Sequence, residues 1–404
     1  MIDTMMNMAR VLLDGKENNV ISPVSIYRLM TILAEITDGN TKKEITDFLG
    51  DTETWRSSLR QLLEDNRGGA IFKIADSIWI NPNFAIKEKK IIELWNLFRC
   101  DAKSVPMGTK QADREIQEWI NEKTEDLLKE ETSALQTDSY TTAVLLSTIY
   151  LRAKWGYHFK KENNYVGFFI NENKEKIRCE YMTEKSFMQL YSGRSFSSVC
   201  KRLSSGFVME FLLPNEGISI GEMLSDSELY EFLENGYKRD DKESYVLMRV
   251  PKFVVRSKDS LTAMIRSLGV KDVFDRHTAD FSPFVKHSRG DDLFYISRAE
   301  QTARVKIDEE GLEGAAWTRA DLTFGCLDPY WNKKFEIHKF YLERPFVFLV
   351  SKAGLPVFAG TVVEPLKTNK NISEPEEIDE EKILEELRKN KERFNNIFIN
   401  MERV

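Results

Sequence analysis

The stretch TAVLLSTIYLRAKW, Thr142 to Trp155, constrains the fold more than any other. From Ala143 to Leu151 it carries no charge, and apolar and β-branched residues follow one another without alternation. A half-buried strand reads apolar, polar, apolar. An unbroken run of this length reads instead as the central strand of a sheet buried on both faces. The chain is 404 residues long, 42% apolar and 11% aromatic, which is ample for the core such a strand needs. Length alone favours two or three domains, yet no internal repeat appears and no Pro/Gly/Ser-rich linker divides the chain before Pro365.

Helical and strand periods fill in the surroundings. Met5, Met6, Met8, Val11 and Leu12 share a helical period in a first amphipathic helix. In the segment from Asn18 to Gly50, Pro23 stands at the start of an apolar helix that Gly39 is expected to end. KIADSIWI, Lys73 to Ile80, alternates as a strand, and IKEKKIIELWNLF follows as a helix. From Gln111 to Leu128, the apolar residues Ile116, Trp119, Ile120, Leu127 and Leu128 fall on one helical face.

Several chemistries are excluded. A net charge of -7 and a pI near 5.5 argue against a nucleic-acid surface or a polybasic membrane anchor. No run of eighteen apolar residues exists to span a bilayer, so no membrane partner is expected. The opening MIDTMMNMARVLLDG lacks the basic leader, apolar core and cleavage site of a signal peptide. The expectation is a cytoplasmic protein if the sequence is complete, and a secreted one if a leader has been removed. Cys100, Cys179, Cys200 and Cys326 lie far apart without C-x-x-C spacing, so free or buried thiols are expected and no metal. G-x-S-x-G, H-E-x-x-H and phosphate-loop patterns are absent, and His158, His277, His287 and His338 each read as ordinary surface or core residues. The chain does not read as an enzyme, and no cofactor is implied.

One stretch behaves differently from the rest. In KIDEEGLEGAAWTRADLTF, Lys306 to Phe324, one alternate set is Leu312, Gly314, Ala316, Thr318, Ala320, Leu322 and Phe324, all uncharged. The other holds Glu313, Trp317, Arg319 and Asp321. The period is that of a strand with one buried face, yet its first half is rich in Gly and Ala, which neither favour strands nor demand burial. Such a segment is able to live in water as a loop or short helix, or in a sheet as a strand. Glu309 and Glu310 would point to opposite faces of a strand, a poor arrangement for acid/base catalysis.

Together with FYLERPFVFLVSKAGLPVFAGTVVEP, Phe340 to Pro365, this stretch resembles the serpin family. In that family an E-E-G hinge precedes a mobile reactive-centre loop, and an R/H-P-F strand and a hairpin follow it. Further pieces agree: S-P-x-S at Ser22 to Ser25, G-N-T-x-x-E-I at Gly39 to Ile45, W-I-x-x-x-T at Trp119, Ile120 and Thr124, and then FVMEFLLPNEG, VPKF, LGVKDVF and ADFSPF. Asp126 stands where the family usually has Gly.

The resemblance implies an α+β serpin fold over residues 1–365, with three β-sheets, eight or nine helices and an exposed loop. It also implies a monomer that acts as a suicide-substrate inhibitor of a serine or cysteine protease, cut at its loop and inserting that loop into the main sheet. The hinge would be Glu309, Glu310, Gly311, Leu312, Glu313, Gly314, Ala315 and Ala316. The upper opening, or breach, would hold Trp155 and Lys252, with Lys252 meeting Glu309. The central opening, or shutter, would hold Ser22, Ser25, Ser147 and Gln301, with a Gln301 amide bonded to the Ser147 hydroxyl. Leu312 replaces the family's usual Thr or Ser, Gly314 its usual Ala, and Trp317 is large. A non-inhibitory carrier, chaperone or storage protein is therefore the alternative. Between Asp51 and Ile71 the cations are Arg56, Arg60 and Arg67, too few for the basic helix that binds heparin in some members.

The family's spacing from Glu309 puts the scissile bond between Gly325 and Cys326, flanked by Leu322, Thr323, Phe324 and Leu327. The fourteen residues from Leu312 to Gly325 span about 45 Å as a strand, close to the roughly 55 Å width of such a globule. Cleavage after Arg319 would leave about 26 Å, and after Lys333 about 70 Å. The expected target is chymotrypsin-, elastase- or subtilisin-like, or a cysteine protease, rather than a trypsin-like enzyme. Beyond the resemblance, residues 366–404 form a charged extension with Ile383, Leu387, Asn390, Phe394, Ile397 and Met401 at spacings of four and three, which reads as a helix needing a partner surface. Asn371-Ile372-Ser373 is a glycosylation sequon, meaningful only in a secreted protein.

Overall fold

The structure is a computed structural model, and it describes residues 2–13, 15–50, 55, 57–59, 62, 69–126, 128–129, 136–235, 243–288, 293–312, 336–370, 381–383 and 385. In chain order its helices are α1 (Ile2–Leu12), α2 (Pro23–Ile36), α3 (Gly39–Leu49), α4 (Glu88–Phe98), α5 (Lys110–Lys123), α6 (Ile220–Ser225), α7 (Ser227–Asn235) and α8 (Leu261–Ser267). The strands are β1 (Asn19–Ile21), β2 (Ile71–Ile80), β3 (Phe84–Ile86), β4 (Asp101–Ser104), β5 (Ala143–Lys154), β6 (Tyr165–Ile170), β7 (Lys176–Ser192), β8 (Phe196–Arg202) and β9 (Val208–Pro214). They continue as β10 (Glu243–Pro251), β11 (Phe253–Ser260), β12 (Val285–Ser288), β13 (Arg298–Ile307), β14 (Gly311–Leu312), β15 (Ile337–Tyr341), β16 (Phe346–Lys352) and β17 (Leu355–Val362).

The strands form three sheets. The largest has nine strands in the order β1-β17-β16-β9-β8-β7-β10-β15, with β6 added on β7. The second has six, in the order β11-β13-β14-β5-β2-β4, and β3 with β12 makes the third. In the six-stranded sheet β5 is central, antiparallel to β2 over ten positions and parallel to β13 from Val144↔Arg298 to Thr148↔Thr302.

The reading of β5 as doubly buried is borne out, and the two faces enter different cores. Ala143, Leu145, Ile149, Leu151 and Ala153 join the main cluster, which runs from Met6 to Val363. Val144 and Leu146 face the other way, into a smaller cluster with Trp79, Ile116, Trp119 and Ile120. Helix α2 covers the main-cluster face, buried at every residue from Pro23 to Ala34. Helix α5 covers the other, its Trp119 ring edge-on to Trp79 at 6.3 Å. The nine-stranded sheet stacks on the six-stranded one through Phe253 of β11, whose ring lies 5.7 Å from Phe346 and 5.4 Å from Phe348.

Local chemistry explains the element ends. Ser22 caps α2 by accepting from the Ser25 N–H, with Pro23 at the first helical position. The sequence places the end of this helix at Gly39; in the structure α2 stops at Ile36, with Thr37 Oγ1 donating to Leu33 O, and Gly39 opens α3. In α1, Met6 and Met8 of the expected face are buried and Leu12 packs against the core, while Val11 is exposed and Ala9 is buried in addition. Helix α5 ends at Lys123, short of Leu128, because Glu125 and Asp126 turn left-handed with φ of 52° and 60°. Asp126, where the family usually has Gly, takes a left-handed conformation that glycine adopts freely, at a cost of about 1–2 kcal/mol. Cys100 and Cys179 are buried free thiols and Cys200 is a half-buried one, while Cys326 lies outside the described residues. Among the described residues no helix is long and apolar enough to cross a membrane.

Candidate functional site: the hinge and the sheet it enters

At the end of β13 the chain turns through Asp308, Glu309 and Glu310 and re-enters the same sheet. Gly311 and Leu312 form β14, a two-residue strand seated between β13 and β5, with Gly311 opposite Lys154 and Leu312 opposite both Ala153 and Ile307. Gly311 has φ of 148°, and a Cβ there would lie 2.2 Å from Ala153 O. Glycine is required at this point. Leu312, 1% exposed, joins the main core, a burial worth about 1.5–3 kcal/mol. The residue that departs from the family's Thr or Ser is thus apolar where the protein offers it an apolar site. Between this upper contact and the lower pairing that ends at Thr148↔Thr302, no registered pair joins β5 to β13 among the described residues.

A charged cluster fixes the turn at Glu309. Lys252 Nζ lies 2.6 Å from Glu309 and 2.7 Å from Glu180, so the expected contact between Lys252 and Glu309 is present. Asn164 Nδ2 donates to the same two carboxylates, at 2.6 and 2.9 Å, and Lys370 Nζ donates to the second oxygen of Glu180 at 2.8 Å. Burial works to raise the Glu180 carboxyl, but hydrogen bonds from Lys252, Lys370 and Asn164 outweigh it and hold the group at about 2. Glu309 is lowered in the same way, with burial opposing and the Lys252 bond prevailing. Lys252 is raised, since its two carboxylates overcome its own burial.

Trp155 closes the top of β5. Its backbone N–H donates to Glu310 O at 3.0 Å and its indole Nε1 to Asp308 O at 2.8 Å, so one residue holds the turn at both ends. Its ring is 5.7 Å from that of Phe159 and 5.4 Å from Lys201 Nζ, which is paired with Glu184.

Lower in the sheet, the four residues Ser22, Ser25, Ser147 and Gln301 do come together, although not through the expected contact. Ser147 and Gln301 are register neighbours on β5 and β13. The Gln301 amide is spent on the α2 cap: its Oε1 accepts from Ser22 N at 2.7 Å and its Nε2 donates to Ser22 O at 3.1 Å. Ser147 bonds instead to Ser25 Oγ at 2.7 Å and to Asp76 Oδ1 at 2.6 Å. Asp76 is fully buried and paired with Arg28, which also donates to Phe98 O. Sequence reasoning missed this ion pair, although one charge in the apolar run IYRLMTIL and one in IADSIWI were signals for it. Asn164, Glu180 and Lys370 were missed as well, and no local pattern marks them. The hinge residues Glu313, Gly314, Ala315 and Ala316, the bond Gly325-Cys326 and its neighbours Leu322, Thr323, Phe324 and Leu327 lie outside the described residues.

With this geometry in place, the comparisons are consistent. The family model for Serpin (serine protease inhibitor) matches residues 3–365. The Drosophila melanogaster protein Serine protease inhibitor 42Dd is 24% identical over 361 residues, covering 86% of this chain and 92% of that one. Gallus gallus neuroserpin is 24% identical, covering 90% of each chain. Among solved structures, the thermophilic serpin tengpin in its native state matches with a TM-score of 0.78 at 21% identity, over 90% of this chain and 92% of its own. Arabidopsis AtSerpin1 in its native stressed conformation matches with a TM-score of 0.76 at 20% identity, over 90% and 97%. The chain belongs to the serpin family.

Proposed function

We propose that this serpin is a suicide-substrate inhibitor of a serine or cysteine protease, and that its loop, once cut, continues into the slot that Gly311 and Leu312 already occupy. The observation that carries this reading is β14 itself: two residues of the alternating stretch stand in register between β5 and β13. Each further residue that enters exchanges water for ladder hydrogen bonds and, at every second position, for burial. The face that would turn inward, from Leu312 through Gly314, Ala316, Thr318 and Ala320, has no charge to strand in the core.

The protease nucleophile attacks the Gly325 carbonyl, the bond to Cys326 breaks, and the amine of Cys326 leaves with a proton. Gly325 remains esterified to the enzyme. Insertion of Leu312 to Gly325 over about 45 Å then carries the acyl-enzyme toward the far pole before water completes hydrolysis. A trypsin-like enzyme would cut at Arg319 or Lys333 and inactivate the inhibitor, because the inserted length is then too short or too slack. The reading is tested by mixing the protein with chymotrypsin, elastase or subtilisin. A complex that survives boiling in detergent, with release of a fragment beginning at Cys326, is expected. A complex releasing a fragment that begins at Lys334 would overturn the assigned bond, and clean cleavage without a complex would overturn inhibition in favour of a carrier or chaperone role.

A further inference from the structure

The family match ends at residue 365, but the next five residues are firmly held. Leu366 N donates to Lys252 O at 3.0 Å, Lys367 bridges to Cys179 in antiparallel fashion, and Thr368 N donates to Arg178 O at 3.0 Å. Arg178 Nη2 returns a bond to Lys370 O at 2.8 Å. Strand β10 pairs with β7 only as far as Pro251↔Tyr181, then turns away at Lys252. Lys252 N still donates to Glu180 O, and the extension takes up the same edge of β7 beyond it, at Cys179 and Arg178, and so brings Lys370 onto the Glu180 carboxylate.

That contact bears on the hinge. Glu180 presents one oxygen to Lys252 and Asn164 and the other to Lys370, and Lys252 and Asn164 are the two groups that hold Glu309. Without Lys370, the buried Glu180 has one oxygen unpaired and draws Lys252 and Asn164 more strongly to itself. Their hold on Glu309 weakens as a result.

We propose that residues 366–370 are a latch on the hinge: Lys370, by occupying the second oxygen of Glu180, leaves Lys252 and Asn164 free to hold Glu309 and keeps Gly311–Leu312 seated. Whatever displaces this segment, including cleavage behind Pro365, releases the hinge. The latch needs only the geometry above, while its consequence for loop insertion rests on the inhibitory reading.

Hydrogen exchange of the hinge tests it without any protease. The peptides to follow cover Asp308 to Leu312 and Ala153 to Gly156, where the Trp155 amide is tied to Glu310. In the full chain, Lys370→Met should speed exchange there by about five-fold, near the upper end for an ion pair with one buried partner. Lys370→Arg should restore the native rate, and a chain ending at Lys370 should behave as the full chain does. A chain ending at Pro365 should exchange at least as fast as Lys370→Met. If it fails to fold, the Lys370 pair of variants decides alone. Native exchange in Lys370→Met, equal rates for Met and Arg, or a loss already complete in the chain ending at Lys370 would each overturn the latch. Failure of the protein to trap a protease would leave all these outcomes readable.

Discussion

The sheet is held closed at two levels by opposite distributions of charge. At the top, the clasp is ionic and includes the turn that leads into β14: Glu309 belongs to that turn, Lys252 to the junction of β10 and β11, Glu180 to β7, and Lys370 to the segment that follows Pro365. In the middle, the ion pair lies wholly on one side of the opening. Arg28 of α2, Asp76 of β2 and Ser147 of β5 form a single block with Ser25, and no member of it comes from β13. The side chain that ties β13 to this block is the neutral amide of Gln301, bonded to the backbone of Ser22. The line along which a strand would enter thus passes between charges rather than through them. Parting β5 from β13 breaks their backbone ladder and the two Gln301 amide bonds, and leaves the buried Arg28–Asp76 pair intact. Separating a buried ion pair would cost several kcal/mol, and the boundary between β5 and β13 avoids that cost.

The largest effect should come from breaking the block itself. Asp76→Ala strands a buried Arg28 and should lower stability by about 3–5 kcal/mol, read by urea unfolding. The double change Arg28→Met with Asp76→Leu should recover most of it. A mild loss in Asp76→Ala would mean that Arg28 is not confined as described.

Next comes the upper clasp. Glu309→Lys sets a cation against Lys252, which keeps Glu180, so the loss is smaller, about 2 kcal/mol. It concentrates in the upper sheet, and polymers formed by a loop entering a neighbouring molecule should appear on native gels after mild heating. A persistent monomer would contradict the role given to this pair.

Gln301→Ala removes the neutral tie and should cost about 1–3 kcal/mol by thermal unfolding. An unchanged melting temperature would show that the amide does not engage Ser22. The smallest effect is that of acid. Glu180 and Glu309 are both lowered in the folded protein, so their contribution is complete above the ordinary carboxylate value of about 4.5. It is lost as pH falls, for Glu180 down to about 2. Hinge exchange, corrected for the intrinsic rate, should be flat from pH 7 to 5 and rise below about 4. A rise centred near pH 6 would place a histidine in the clasp instead.

Much of this was legible in the chain, and the remainder was hidden for identifiable reasons. The unalternating run in β5 announced a strand buried twice, and the E-E-G motif marked, by resemblance, the turn that leads into β14. The meeting of Lys252 with Glu309 came through motif resemblance alone. Arg28 and Asp76 are 48 positions apart, and a single charge in an apolar run says that a partner exists without saying where. For Gln301 the family resemblance gave the correct neighbour, Ser147, but not the choice between that hydroxyl and the open backbone of the α2 cap. Lys370 lies beyond the family match, where spacing carried no information.

The central claim is that the slot begun by β14 accepts the rest of the loop, and melting before and after cleavage tests it most directly. A cut by subtilisin or elastase at or beside the Gly325-Cys326 bond, confirmed by mass, should raise the unfolding temperature by roughly 20 °C: about ten new ladder bonds at ~1 kcal/mol each, and ~2 °C per kcal/mol for a chain of this size. A cleaved protein that melts where the intact one does would contradict the account.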